Sequence, residues 1–202
     1  MKKETLKESL ETLQETSQRI KGEVILDHIN YIKRKEGSGG LKKLEERMKD
    51  TGNPLELEKI SSKDWASNDL SSKIILTAFH VFHWSEEDVF EMGSSSPRFS
   101  LWMRLLVQNI IRPKKMFRAL PVYWRGLFDF GKLKPVEFDE KGQRARLQIE
   151  EMDIQHPLLY HYIMGYLKGL GEFMFKEKNI TTKQTKSTLK GDNFDEYSIY
   201  WD

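Results

Sequence analysis

Residues 135–149 read Pro135-Val136-Glu137-Phe138-Asp139-Glu140-Lys141-Gly142-Gln143-Arg144-Ala145-Arg146-Leu147-Gln148-Ile149. From Arg144 onward, polar and apolar side chains alternate with period two, as in a strand that buries one face. The Asp139-Glu140-Lys141-Gly142 stretch supplies the turn chemistry, so the segment is expected to be a β-hairpin. A second hairpin is expected at the carboxyl end, over 180–189 and 196–201, where Thr, Ile, Tyr and Trp flank Gly191-Asp192-Asn193. Between the hairpins, residues 156–175 place Leu159, Tyr162, Ile163, Tyr166, Leu167 and Leu170 on one broad helical face. Strand, strand, helix, strand, strand is the order that follows, with an antiparallel sheet.

Everything before Gly131 reads as helical. Leu6, Leu10, Leu13, Ser17, Ile20 and Val24 recur at spacings of four and three, which predicts a long amino-terminal helix packing along a narrow stripe. That stripe either lies on its own domain or joins a second copy or a signalling partner as a short coiled coil. The period continues through Ile25, Ile29 and Ile32, breaks at the glycines of 37–40, and resumes with Leu41, Leu44 and Met48, so a helical hairpin is expected. Residues 51–63 read as a loop, Asn68 or Ser71 as the cap of a helix to His83, and Ser85 as the cap of a short acidic-start helix ending at Gly93. Segments 97–107 and 113–130 read as buried helices, the second kinked or divided at Pro121. The fold class is therefore α+β, an amino-terminal helical layer followed by a β-β-α-β-β sheet unit. Residues 1–20 are expected to form a helical extension and 21–202 the α+β domain.

Composition narrows the chemistry. The chain has 202 residues and no cysteine, which removes disulfides, thiol catalysis and cysteine metal sites. Lys and Arg number 33 against 31 Asp and Glu, a balance that gives no global argument for nucleic acid or an anionic membrane. No apolar run approaches a membrane span and the amino terminus lacks a signal-peptide core, so a cytoplasmic protein is expected, with neither nucleic acid nor membrane as partner.

The order of elements and three local stretches resemble the superfamily containing the haem nitric-oxide/oxygen-binding (H-NOX) sensors and the 4-vinyl reductase domains. Lys21-Gly22-Glu23-Val24-Ile25, followed by a helix and a glycine break, is similar to the opening of an H-NOX domain. Residues 160–169, Tyr160-His161-Tyr162-Ile163-Met164-Gly165-Tyr166-Leu167-Lys168-Gly169, are similar to the aromatic and glycine helix between the hairpins. The closing hairpin, with Gly191-Asp192 and Tyr197-Ser198-Ile199-Tyr200-Trp201, looks like that of 4-vinyl reductase domains. The resemblance implies haem held by a histidine on the helix before the first hairpin and by a Tyr-x-Ser-x-Arg motif. Segment 113–130 has no histidine, and Asp153-Ile154-Gln155-His156-Pro157, which falls where the motif would lie, has none of its three residues. Thr188 or Asp195 stands where 4-vinyl reductase domains often carry cysteines. A member without the haem motif is expected, with no cofactor and no metal, and with a pocket between helical layer and sheet.

Two residue sets are candidates for binding. Trp102, Met116, Leu120, Tyr123, Trp124, Leu127 and Phe128 are expected to line the pocket, their alternative being plain core. Arg112, Lys114, Lys115 and Arg118 concentrate cations at a helix start without an intervening carboxylate, which suits an anion or, alternatively, a solvated face. His80 and His83, spaced i and i+3, are weighed as metal ligands, but no acidic residue completes a zinc motif around them. There is no nucleophile elbow, Walker loop or dinucleotide fingerprint, so no enzyme activity is argued. The expected function is a non-haem domain that senses or signals a small hydrophobic molecule, acidic in one version. Its alternative is a structural adaptor with a packed core, acting through its amino-terminal helix and charged surface.

Overall fold

The computed structural model describes residues 4–98, 112–175 and 178–202. The polypeptide opens with a two-turn helix, α1 (Leu6–Glu11), held by a capping box in which Thr5 and Glu8 satisfy each other's backbone amides. The predicted long amino-terminal helix does not form. α1 ends at Glu11, and Arg19–Lys21 is a strand, β1, paired antiparallel with β2 (Trp65–Ser67). The reason is tertiary: Leu6 and Ser9 are buried on the body of the same chain, and Ser9 Oγ lies 2.9 Å from His80 Nε2. The apolar stripe thus covers its own domain. A helix this short would be marginal alone, so such docking decides its state.

α2 (Gly22–Asp50) starts where the Lys-Gly pair predicts and loses helical dihedrals at Gly37, whose φ of 74° a residue with a Cβ rarely adopts. Ser67, one residue before the expected cap, accepts from the Asp69 amide and starts α3 (Asn68–Val81). Ser85 and Asp88 form the expected capping box of α4 (Glu86–Ser95), with Lys35 bridging to Asp88 at 2.6 Å. α5 (Pro113–Leu127) begins with Pro at its first turn and runs unbroken through Pro121, so the expected division there does not occur. The segment 99–107, assigned a helix from sequence, lies outside the described residues.

The two expected hairpins assemble one antiparallel sheet. β3 (Lys132–Asp139), β4 (Arg144–Glu150), β5 (Ile180–Lys186) and β6 (Asp195–Trp201) lie in the order β3-β4-β6-β5. Ala145, Leu147 and Ile149 of β4 are fully buried, and the alternate Arg144, Arg146 and Gln148 are partly exposed. Across the outer face Glu137 pairs with Arg144, and Gln148 donates to Glu196. The inner face meets α6 (Leu158–Met174) and α5, so helices cover one side of the sheet. Among the described residues no helix is long and apolar enough to cross a membrane.

α4 and α6 pack closely because glycines face backbone. Gly93 abuts the Tyr162 carbonyl, and Gly165 abuts the Phe90 carbonyl. The Tyr-x-x-Gly-Tyr region of α6 therefore does two jobs. Its glycine lets α4 approach, and its tyrosines project toward α2, α3 and α5.

Candidate functional site

The end of α5 is an aromatic junction. Trp124 stacks on Phe128 at a ring separation of 4.2 Å, and both meet Tyr166 edge to face. The Trp124 indole N–H donates to the Phe130 carbonyl at 2.9 Å. Tyr123 and Tyr166 join their hydroxyls at 2.7 Å inside the core. Phe128 also bridges to Ile20 of β1, while the Asp129 carboxylate takes the Arg19 amide and guanidinium at 2.6 Å each. The amino-terminal strand is thus fastened to the last turn of α5.

Beside this junction is a partly open cavity of about 60 Å³. Trp124, Phe128, Met152 and Ile154 form one side, Tyr162, Ile163 and Tyr166 of α6 another, and Val24 and α3 close it. Its polar lining is Asn68, Ser71, Ser72 and Asp153, together with the tyrosine hydroxyls. Ser71 is backed by His28, whose Nε2 lies 2.8 Å from its hydroxyl. Burial pushes the His28 imidazole down to about 3, so it is neutral. Its ring packs edge-on against Tyr162 at 5.0 Å, and its buried Nδ1 has no hydrogen-bond partner. At the preceding residue of α2, burial and then the charge of Glu23 one turn earlier raise Asp27 to about 7. Asp153, at the exposed rim, is the acidic member of the cavity's lining.

Of the residues predicted to line a pocket, Trp124 and Phe128 do so. Met116, Leu120, Tyr123 and Leu127 are buried on α5 as core and are not part of that lining. Trp102 lies outside the described residues. Tyr162, Ile163, Tyr166, Ser71, Ser72, Met152 and Ile154 were not predicted for the site. Tyr162 and Tyr166, spaced i and i+4, carry a helical signal, whereas nothing local marks the serines of α3.

The predicted cations fall elsewhere. Arg112 and Lys114 border a separate open groove of about 700 Å³ that also contains Phe138, Phe175 and Trp201. Lys115 and Arg118 are exposed on α5 and do not border that groove. Arg112 precedes Trp124 by twelve residues, about 18 Å along a helix. The apolar and cationic sets therefore serve two places. His80 is engaged with Ser9, and His83 lies beyond the end of α3 with φ of 53°, so the two do not share a helical face. Among the described residues no three His, Cys, Asp or Glu side chains converge as a metal site.

The sequence matches no family model and no curated protein. The fold does have likenesses among solved structures. An H-NOX protein from S. oneidensis in the Fe(II)NO ligation state aligns with a TM-score of 0.69 at 10% identity, over 91% of this chain and 99% of that one. An oxygen-binding H-NOX domain related to soluble guanylate cyclases aligns at 0.62 and 14% identity, over 91% and 95%. A Cs H-NOX mutant with an unnatural amino acid aligns at 0.64 and 14%, over 91% and 97%. The fold is H-NOX-like, as the residue order implied.

The cavity residues do not fit the haem that such a fold implies. A cofactor of that size needs a pocket of several hundred Å³, against about 60 Å³ here. Among the described residues the lining contains no histidine, no cysteine and no cation to hold propionates, and its tyrosine hydroxyls are engaged by Tyr123 and Ser96. His28, the histidine behind the wall, is committed to Ser71.

Proposed function

We propose that this chain, with its H-NOX-like fold, is a sensing or signalling domain that detects a small hydrophobic molecule instead of haem. The observation that carries this reading is the partly open cavity at the junction of α3, α5 and α6, whose aromatic wall is joined directly to β1. At about 60 Å³ it holds a ligand of a few heavy atoms without rearrangement, and a larger one only by displacing Trp124 or Phe128. Among the described residues its lining has the Asp153 carboxylate and no cation, which disfavours an acidic ligand.

Signal transfer in this reading is a population shift. A ligand that moves Phe128 acts on the Ile20 bridge and the Arg19–Asp129 pair, and so on the amino-terminal segment. That route needs no coiled coil. An output surface formed by the amino-terminal segment would recruit a second copy or a signalling protein.

The test is native and denaturing mass spectrometry of the purified protein, with an absorption spectrum and melting curves in the presence of small apolar molecules such as indole. Ligand-dependent stabilisation that disappears in Trp124→Ala supports the sensor. A one-to-one Soret band after haem addition refutes the non-haem reading. The small cavity volume favours one alternative, a packed structural adaptor, and absence of any adduct or melting shift would select it.

A further inference from the structure

The groove at the start of α5 has a chemistry that the cavity at Trp124 lacks. Its floor is formed by the outer edges of a stack of aromatic rings from three elements: Phe175 and Trp201, both largely buried, stack at 4.0 Å, and the half-buried Phe138 lies 5.5 Å from Trp201. Among the described residues, Arg112, Lys114 and Lys178 stand around it, against one carboxylate, Glu140. None of the three cations is held in an ion pair among the described residues.

Arg112 and Lys114 also sit at an electrostatically wrong place. The positive end of the α5 dipole emerges at Pro113, with no side-chain cap and no acidic residue in the first turn. Cations there raise the local potential and oppose folding, and an anion relieves both. The groove volume of about 700 Å³ is within the range of small-molecule sites. A flat apolar body on the rings and an anionic head at the helix start would satisfy the floor and the charge together.

We propose that this groove is a second ligand site, selective for aromatic organic anions of the aryl carboxylate or aryl sulfonate class. It is separate from the cavity at Trp124 and stands whether or not that cavity binds a ligand.

Anilinonaphthalene sulfonate is the probe, with uncharged N-phenylnaphthylamine as its control, both titrated by fluorescence into the full chain. The expected result is saturable binding of one sulfonate probe per chain, with competition by naphthalene carboxylate. Arg112→Glu/Lys114→Glu/Lys178→Glu, all exposed positions, should weaken the sulfonate by about tenfold or more without lowering the melting temperature, which the helix dipole should instead raise. The same variant should leave N-phenylnaphthylamine unaffected. Ser72→Val, which occupies part of the cavity at Trp124, should leave both probes unaffected. Equal sulfonate affinity in the charge variant, or loss of the sulfonate in Ser72→Val, overturns the proposal, as does equal weakening of both probes by the charge variant.

Discussion

Gly165 of α6 lies against the Phe90 carbonyl of α4, so close that a Cβ there would collide with the oxygen, and Gly93 of α4 lies in the same way against the Tyr162 carbonyl. The two contacts set the spacing of the helices and with it the direction in which Tyr162 and Tyr166 leave α6. The cavity wall is a consequence of this backbone approach.

Gly165→Ala should therefore destabilise the fold by about 3 kcal/mol, the upper range for overpacking a core, despite the better helix propensity of alanine. Gly93→Ala should behave alike. The double variant should lose less than the sum, because one separation of the helices accommodates both methyls. Denaturant melts of the three variants check this, and a neutral Gly165→Ala would refute the contact.

Asp27 and His28 give opposite pH dependences. Asp27 is raised from 3.8 to about 7 by burial and Glu23, with Arg34 pulling it down. Its contribution is complete below about pH 4 and lost as pH rises through 7. His28 is lowered from 6.5 to about 3 by burial, so its contribution is present above pH 6.5 and lost as pH falls through 3. Between these limits the two slopes cancel. Asp27→Asn should make stability fall more steeply on acidification from pH 6.5 to 4, by about 1.4 kcal/mol per pH unit. Chemical denaturation at several pH values measures the slope; an unchanged slope would show that Asp27 titrates normally.

Leu6 is 5% exposed and docks α1 on the same chain. Leu6→Ala should cost about 2–3 kcal/mol and leave the oligomeric mass unchanged. Gel filtration with denaturant melts separates this from a coiled-coil role, in which the variant would instead dissociate an assembly. The Leu158 amide donates to His156 Nδ1, which places the proton on Nε2, 3.3 Å from Glu4. The segment is thus anchored at two ends, by His156 and by β1.

Trp124→Phe should cost about 1–3 kcal/mol by leaving the Phe130 carbonyl without its donor. It should also shift amide resonances of Ile20 and Arg19, since Phe128 connects the indole to β1. Two-dimensional NMR of the labelled protein checks the second statement. Unperturbed β1 resonances would break the proposed signal route.

Local pattern by itself determined much of this protein. The period-two run at 144–149, the capping box at Ser85, the glycine break in α2 and the broad apolar face of α6 are all short-range features, and each specified its element. Their order was enough to indicate an H-NOX-like fold. Only the tertiary structure decided where the amino-terminal stripe goes, since an a/d pattern fits its own domain as well as a partner, and burial of Leu6 and Ser9 selects the former. The same holds for binding: Trp124 shares a cavity lining with Ser71 and Tyr162 through packing across long sequence separations, and Arg112 is carried away from Trp124 by the length of α5. Periodicity reports which side of a helix is buried; it carries no information about what lies opposite.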